Sequence, residues 1–205
     1  MGLDLQLRAF PENCELLAKA RVNLQIAENM PHFEAFVLRY GPFSQEPDNE
    51  TDRYFMEAAR QLVQEYPGLL ERRYFNQARA WDRIVYLLSP MRRMPHPPGP
   101  DNSLIHQAIR GIERLQPQAT AVQGIPIKFV PAKNVKLLAE YLHSVTSEQF
   151  HEFYDPVQME ELAVCKMAGD AGEELFAYTW DEFARITALY QEAAAHNESI
   201  IVILD

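Results

Sequence analysis

Six arginines fall within 22 residues: Arg72, Arg73, Arg79, Arg83, Arg92 and Arg93, with Asp82 the only acid among them. Guanidinium groups grip carboxylate or phosphate through two parallel hydrogen bonds, so this cluster is a candidate for binding an anion or an acidic partner. On a helix, Arg72, Asn76, Arg79 and Arg83 share one face, opposite an apolar stripe. The competing reading is a solvated face whose charges pair with acids elsewhere in the chain. Trp81, Asp82 and Tyr86 sit beside the cluster. They suggest either core packing, with Asp82 paired to Arg79 or Tyr86, or a cleft walled by aromatic rings and lidded by the loop that carries Arg92 and Arg93. Arg79, Trp81, Asp82, Arg83, Tyr86, Arg92 and Arg93 are therefore the candidate ligand- or partner-binding residues.

Other chemistry is sparsely represented. The six histidines, at 32, 96, 106, 143, 151 and 196, contain no pair at the three- or four-residue helical spacing that metal sites favour. His143 and His151 could converge with Glu152 and Asp155 only across a helix break. Cys14 and Cys165 lie far apart, with no neighbouring His and no glycine-rich elbow. They read as free, buried, small apolar residues of a reducing compartment. With 8 glycines in all and no phosphate-binding or dinucleotide fingerprint, a phosphate cradle made of backbone is not expected. The neighbouring carboxylates Glu160–Glu161 and Glu173–Glu174 point different ways on a helix or lie in a loop, which is poor geometry for paired acid–base work. No catalytic residue, metal or cofactor is assigned.

The elements that must position these groups are organised around the C-terminus. Ile200 to Leu204 run without a polar break, so this strand needs cover on both faces and belongs in the middle of a sheet. Before it, Trp180, Phe183, Ile186, Tyr190 and Ala194 form one helical stripe. Thr179 and Glu182 read as a capping box that starts this helix, and Asn197 suits the left-handed residue that ends it. At the N-terminus, Leu3, Leu5 and Leu7 alternate with polar residues, which predicts a half-buried strand near an edge. Helices are predicted over about 14–28, 52–66, 76–88, 103–115 and 134–145, and a short strand over 125–132. Residues 33–43 fit a short helix or a strand. Thr146 with Gln149 forms a second capping box, and Asp155–Pro156 opens a further turn. Residues 89–103 hold five prolines and form an irregular loop within a single domain of residues 1–205.

Charge is unevenly laid out. Residues 140–205 hold fourteen acids against Lys166 and Arg185; residues 1–139 hold fifteen acids and seventeen Lys and Arg. The last third is thus strongly acidic and the rest slightly basic, within a chain of net charge −10. The acidity argues against nonspecific nucleic-acid binding. No run approaches about 18 consecutive apolar residues, so no membrane span is expected. The polar opening MGLDLQLRAF lacks the apolar run of a signal peptide, and the expectation is cytoplasmic.

Three stretches in order resemble the bacterial YfbM-like family, a domain with no assigned function. They are RAWDRIVYLLS at 79–89, NVKLLAEYLHSVTSEQFHEFYDPVQMEELAV at 134–164, and the closing LFAYTWDEFARITALYQEAAAHNESIIVILD. The opening Met-Gly followed by a strand fits as well, whereas residues 11–67 align only loosely. The resemblance implies a compact single-domain α+β fold and no particular activity. The family often carries His where this chain has Val85, and Gly where it has Pro90.

These readings together predict an α+β protein with a small mixed sheet, a central C-terminal strand and helices on both faces. The leading expectation for function is a non-enzymatic module that recognises a protein partner through its charge-segregated surface, with self-association as a variant. The rival is a small-ligand binder or enzyme with a cleft near Trp81.

Overall fold

All seven residues of the last strand, Glu198–Leu204, are buried. That follows from its place in the sheet. The computed structural model describes residues 3–47, 49–76, 79–164 and 172–205. Within it, β1 (Leu5–Pro11), β2 (Arg73–Asn76), β3 (Glu113–Arg114), β4 (Lys128–Val130) and β5 (Glu198–Leu204) form one sheet in the order β2-β1-β5-β4-β3. Strand β5 pairs over seven positions with β1, from Leu5 opposite Leu204 to Pro11 opposite Glu198. On its other side it pairs with β4. Every pairing among these strands is antiparallel, where a mixed sheet was expected. Strand β1 lies one strand in from the β2 edge and is almost wholly buried, where a half-buried strand was expected.

Alternation along the strands divides the interior into two cores. Ile200, Val202 and Leu204, with Leu5, Leu7 and Ala9, pack against α5 (Ala80–Leu88), α6 (Leu104–Arg110), α7 (Ala132–Ser144), α8 (Ser147–Glu152), α9 (Pro156–Glu161) and α10 (Glu173–Ala195). Ile201 and Ile203, with Phe10 and Phe129, face α1 (Glu15–Ala20), α2 (Leu24–Asn29), α3 (Phe33–Leu38) and α4 (Glu50–Glu65). The α+β class, the central C-terminal strand and the helices on both faces are thus as the sequence indicates.

Two local readings are corrected. Thr179 and Glu182 do not cap a helix: α10 begins at Glu173, six residues earlier. The Thr179 hydroxyl donates to the Leu175 carbonyl one turn back (2.7 Å), and Glu182 accepts from the buried Tyr74 hydroxyl (2.6 Å). The helix predicted over 14–28 is two short ones, with Asn23 capping the second through a bond to the Ile26 amide. Other signals hold. Asn197 has φ of 53°, Thr146 and Gln149 form a capping box, and Asp155 caps the turn that Pro156 opens.

Candidate functional site

The arginine cluster does not lie on a helix face. Residues 73–76 form strand β2, and α5 begins only at Ala80 after Arg79 takes a left-handed conformation (φ 60°). Arg72, Asn76, Arg79 and Arg83 are therefore split between a loop, a strand, a turn and a helix. Arg72 meets the acidic last third as the solvated-face reading expected, bonding Glu192 (3.1 Å) and Glu198 (2.9 Å).

The other members are built into the protein. Trp81, Asp82, Arg83 and Tyr86 are 4%, 6%, 1% and 0% exposed. Trp81 Nε1 donates to the Leu3 carbonyl (2.8 Å), and Arg83 Nε donates to Thr179 Oγ1 (2.9 Å). Tyr86 donates to Gln158 (2.5 Å). Asp82 pairs with Arg92, whose Nε and Nη2 reach its two oxygens at 3.2 Å each. Arg92 also donates to the Leu162 carbonyl. Arg93 donates to the carbonyls of Tyr86 and Leu87 and stacks over Phe153 at 3.7 Å. These bonds hold the first turns of the proline-rich loop on α5 and α9. The structure thus fills the space around Trp81 and Tyr86 with protein.

A cleft lies elsewhere, on the other face of the sheet at its β2 side. It has a volume of about 560 Å³, within the range of small-molecule sites. Its floor is Gln6 and Arg8 of β1, Arg73 and Phe75 of β2, and Ile203 of β5. Its roof is the segment 31–43, which contributes His32, Glu34, Tyr40, Pro42 and Phe43. The strand period explains the floor: Leu7 and Tyr74 turn into one core, so Arg8 and Arg73 turn together toward the other layer.

Arg8 and Arg73 are direct cross-strand partners. Like charges in that position repel. Glu34 of α3 bridges them: its Oε2 accepts from Arg8 Nη2 at 3.2 Å and pairs with Arg73 Nε at 3.0 Å. Two guanidinium groups share one carboxylate oxygen, so the wall keeps a net positive charge. Arg8 is nearly buried (9% exposed), and its Nη1 has no hydrogen-bond partner among the described residues. Burial lowers the Arg8 pKa from its ordinary value, against the opposing pull of Glu34. His32, half-buried and 5.2 Å from the Phe43 ring, is also pushed down by burial, which favours neutral imidazole.

Nucleophile and metal chemistry find little support around this frame. Burial pushes the Cys14 thiol up, away from reactive thiolate; Cys165 lies outside the described residues. His143 shares a hydrogen bond with Gln191, whereas His151 lies 4.0 Å from Glu173, so the two do not converge. Among the described residues no three His, Cys, Asp or Glu side chains gather as metal ligands. No described helix is long and apolar enough to cross a membrane.

Sequence reasoning missed Arg8, Glu34 and Arg73 as one site. The alternation at the N-terminus marks Arg8 only as the polar phase of a strand, and residues 33–43 fit helix or strand equally. The one available signal was the Arg-Tyr-Phe-Asn alternation at 73–76.

A five-stranded antiparallel sheet between two helical layers, with the C-terminal strand central, defines an α+β protein that carries a cleft at its β2 edge. The family model described as "Domain of unknown function (DUF1877)" matches residues 43–203, and the chain belongs to that family. Among solved structures it is similar to the protein of unknown function YfbM from Escherichia coli. The two are 15% identical with a TM-score of 0.52, and the match covers 78% of this chain and 96% of that one. At that identity the likeness is one of fold. No curated protein matches the chain. The family match begins at Phe43, so Arg8, His32, Glu34 and Tyr40 lie ahead of it.

Proposed function

We propose that this protein is a non-enzymatic binding module that holds a small aromatic carboxylic acid between β1–β2 and α3. One observation carries the reading: two cross-strand arginines share a single carboxylate oxygen at the wall of a 560 Å³ cleft. A ligand carboxylate at Arg73 would balance the remaining charge through the two-bond geometry that guanidinium favours. Tyr40, Phe43 and Phe75 line the cleft, and aromatic side chains suit a flat apolar body. The cleft contains no activated nucleophile, and its one imidazole favours the neutral form, so binding rather than turnover is the chemistry it supports.

The test is calorimetric titration with benzoate, phenylacetate and their neutral amides. The acids are expected to bind and the amides to bind at least tenfold more weakly. Arg73→Gln, at an exposed position, should reduce acid binding by a similar factor. Equal binding of acid and amide, or an unchanged Arg73→Gln variant, overturns the reading.

A specific observation also supports a protein-partner reading. Glu148, Glu152, Glu160, Glu161, Glu173 and Glu174 are all exposed. They gather where α8, α9 and the start of α10 meet, joined by Phe150 against Phe176 and by Tyr154 on the Gly172 carbonyl. This acidic end would receive a basic partner surface or the cationic edge of a second copy. Solution mass at low and high salt separates the two, since only self-association gives a salt-sensitive dimer of the isolated protein.

A further inference from the structure

The opposite edge of the sheet repeats the like-charge arrangement without its carboxylate. Arg114 of β3 and Lys128 of β4 are direct cross-strand partners, and Lys128 in turn faces Val202 of β5. A cleft of about 340 Å³ opens over this row, and His106 and Arg110 of α6 complete its wall. His106 and Arg110 are four residues apart, so they project from one side of the helix. Among the described residues no Asp or Glu lines the cleft, although the chain carries net charge −10. Arg114 and Lys128 form no ion pair among the described residues; Arg114 only donates to the Pro117 carbonyl at 2.8 Å. Glu113, next along β3, turns to the other face of the sheet, beside Phe129 and Arg21. Asp101 is the acid that acts on His106, but its carboxylate is spent on the Ser89 hydroxyl and the Ser103 amide.

The backbone enforces the crowding. Gly111, which ends α6 with φ of 71°, lies so close to β4 that a Cβ there would stand 2.7 Å from Lys128 Cβ. Only glycine lets the end of α6 come down onto the strand that carries Lys128. The opposition of Arg114 and Lys128 raises the free energy of the fold, and an anion in the cleft would relieve it. At the other edge Glu34 already does this for Arg8 and Arg73.

We infer that the β3–β4 edge is a second, separate binding site whose ligand is a small phosphate monoester. The three permanent cations suit a dianion, and the apolar floor of Ile125, Val202 and Leu204 suits the organic group it carries. Arg110 also lies over the Trp81 ring at 4.5 Å. Drawing its guanidinium toward an anion therefore alters the fluorescence of Trp81.

The experiment titrates the full chain with phenyl phosphate and with inorganic phosphate at constant ionic strength, following tryptophan fluorescence and amide chemical shifts. Phenyl phosphate should saturate, with shifts centred on residues 106–114 and 125–128. Lys128→Gln and Arg114→Gln should each weaken it at least tenfold, whereas Arg73→Gln, in the other cleft, should leave it unchanged. Equal affinity for inorganic phosphate would remove the organic group from the proposal. The site itself is overturned if chloride at the same ionic strength produces the same shifts, or if Lys128→Gln and Arg114→Gln bind as the parent does. Because the two clefts use different arginines, failure here and failure of benzoate binding are separate results.

Discussion

Replacing Glu34 by glutamine should make the protein less stable and a better anion binder. Among the described residues Glu34 is the sole acid bonded to Arg8, whose side chain is 11% exposed, and it also pairs with Arg73, which is 44% exposed. The Arg73 contact is open to water and contributes about 0–1 kcal/mol. The Arg8 contact is mostly buried; breaking a fully buried pair costs about 3–5 kcal/mol because a charge is left behind. Since Glu34 itself is 20% exposed and glutamine keeps one acceptor oxygen, the total should be about 2 kcal/mol. For a chain of this size that corresponds to a fall in Tm of about 4–8 °C. The freed guanidinium groups then seek an anion. Benzoate at about 100 times its Kd returns about 2.7 kcal/mol, so the variant should regain its lost Tm as benzoate is added. The assay is thermal unfolding of parent and variant across a benzoate series at fixed ionic strength. A Tm change under about 1 °C without ligand, or a benzoate response no larger than the parent's, would refute the idea that Glu34 occupies the ligand's place.

Two further substitutions probe the fold around the clefts. Gly111→Ala combines a backbone conformation reserved for glycine with a 2.7 Å approach to Lys128; a loss of about 3 kcal/mol is expected in urea unfolding, and an unchanged midpoint would show that α6 is not pinned there. Glu12 ties four segments together, accepting from Ser199, from Arg21 (3.0 Å) and from the Ala132 amide (3.2 Å). Burial raises its pKa, but these three donors outweigh that and hold it below the ordinary value. The unfolded chain therefore binds the proton more tightly, and Glu12 adds stability that is full above the unfolded pKa and fades as pH falls through the folded one. Glu12→Gln should cost about 2 kcal/mol at pH 7 and progressively less below about pH 4. A deficit that stays constant from pH 7 to pH 3 contradicts this.

What the sequence disclosed depended on how local its cause was. The five apolar residues 200–204 admit no environment but a covered interior strand, and Asn197, Thr146 with Gln149, and Asp155 with Pro156 act within a few residues of themselves. Thr179 and Glu182 carry the same spacing as a cap, yet their side chains answer to Arg83 and Tyr74, about a hundred residues away. Strand β2 is four residues long and is a strand because β1 lies beside it. Read alone, it merged into the helix that follows and carried the arginines with it. The cluster at 72–93 was real as a charge feature, but its partners were invisible: Arg83 faces Thr179, Arg92 faces Asp82 and the Leu162 carbonyl, and Arg93 faces Phe153.

The placement of the two clefts follows from how the sheet spends its surface. Strand β5 and most of β1 are covered on both faces, so they lend the clefts little beyond apolar floor, with Arg8 of β1 as the charged exception. Strands β2, β3 and β4 are short, and the clefts lie beside them. At each of these edges a pair of cations stands opposed across two strands. Two like pairs on one sheet in a chain of net charge −10 run against both local repulsion and the average composition. At the β2 edge the repulsion is partly settled inside the molecule, by Glu34; at the β3 edge no described carboxylate pairs with Arg114 or Lys128. A fold that keeps such contacts unrelieved at one edge, and places a glycine where nothing else fits to hold them together, is arranged around a negative charge that comes from outside.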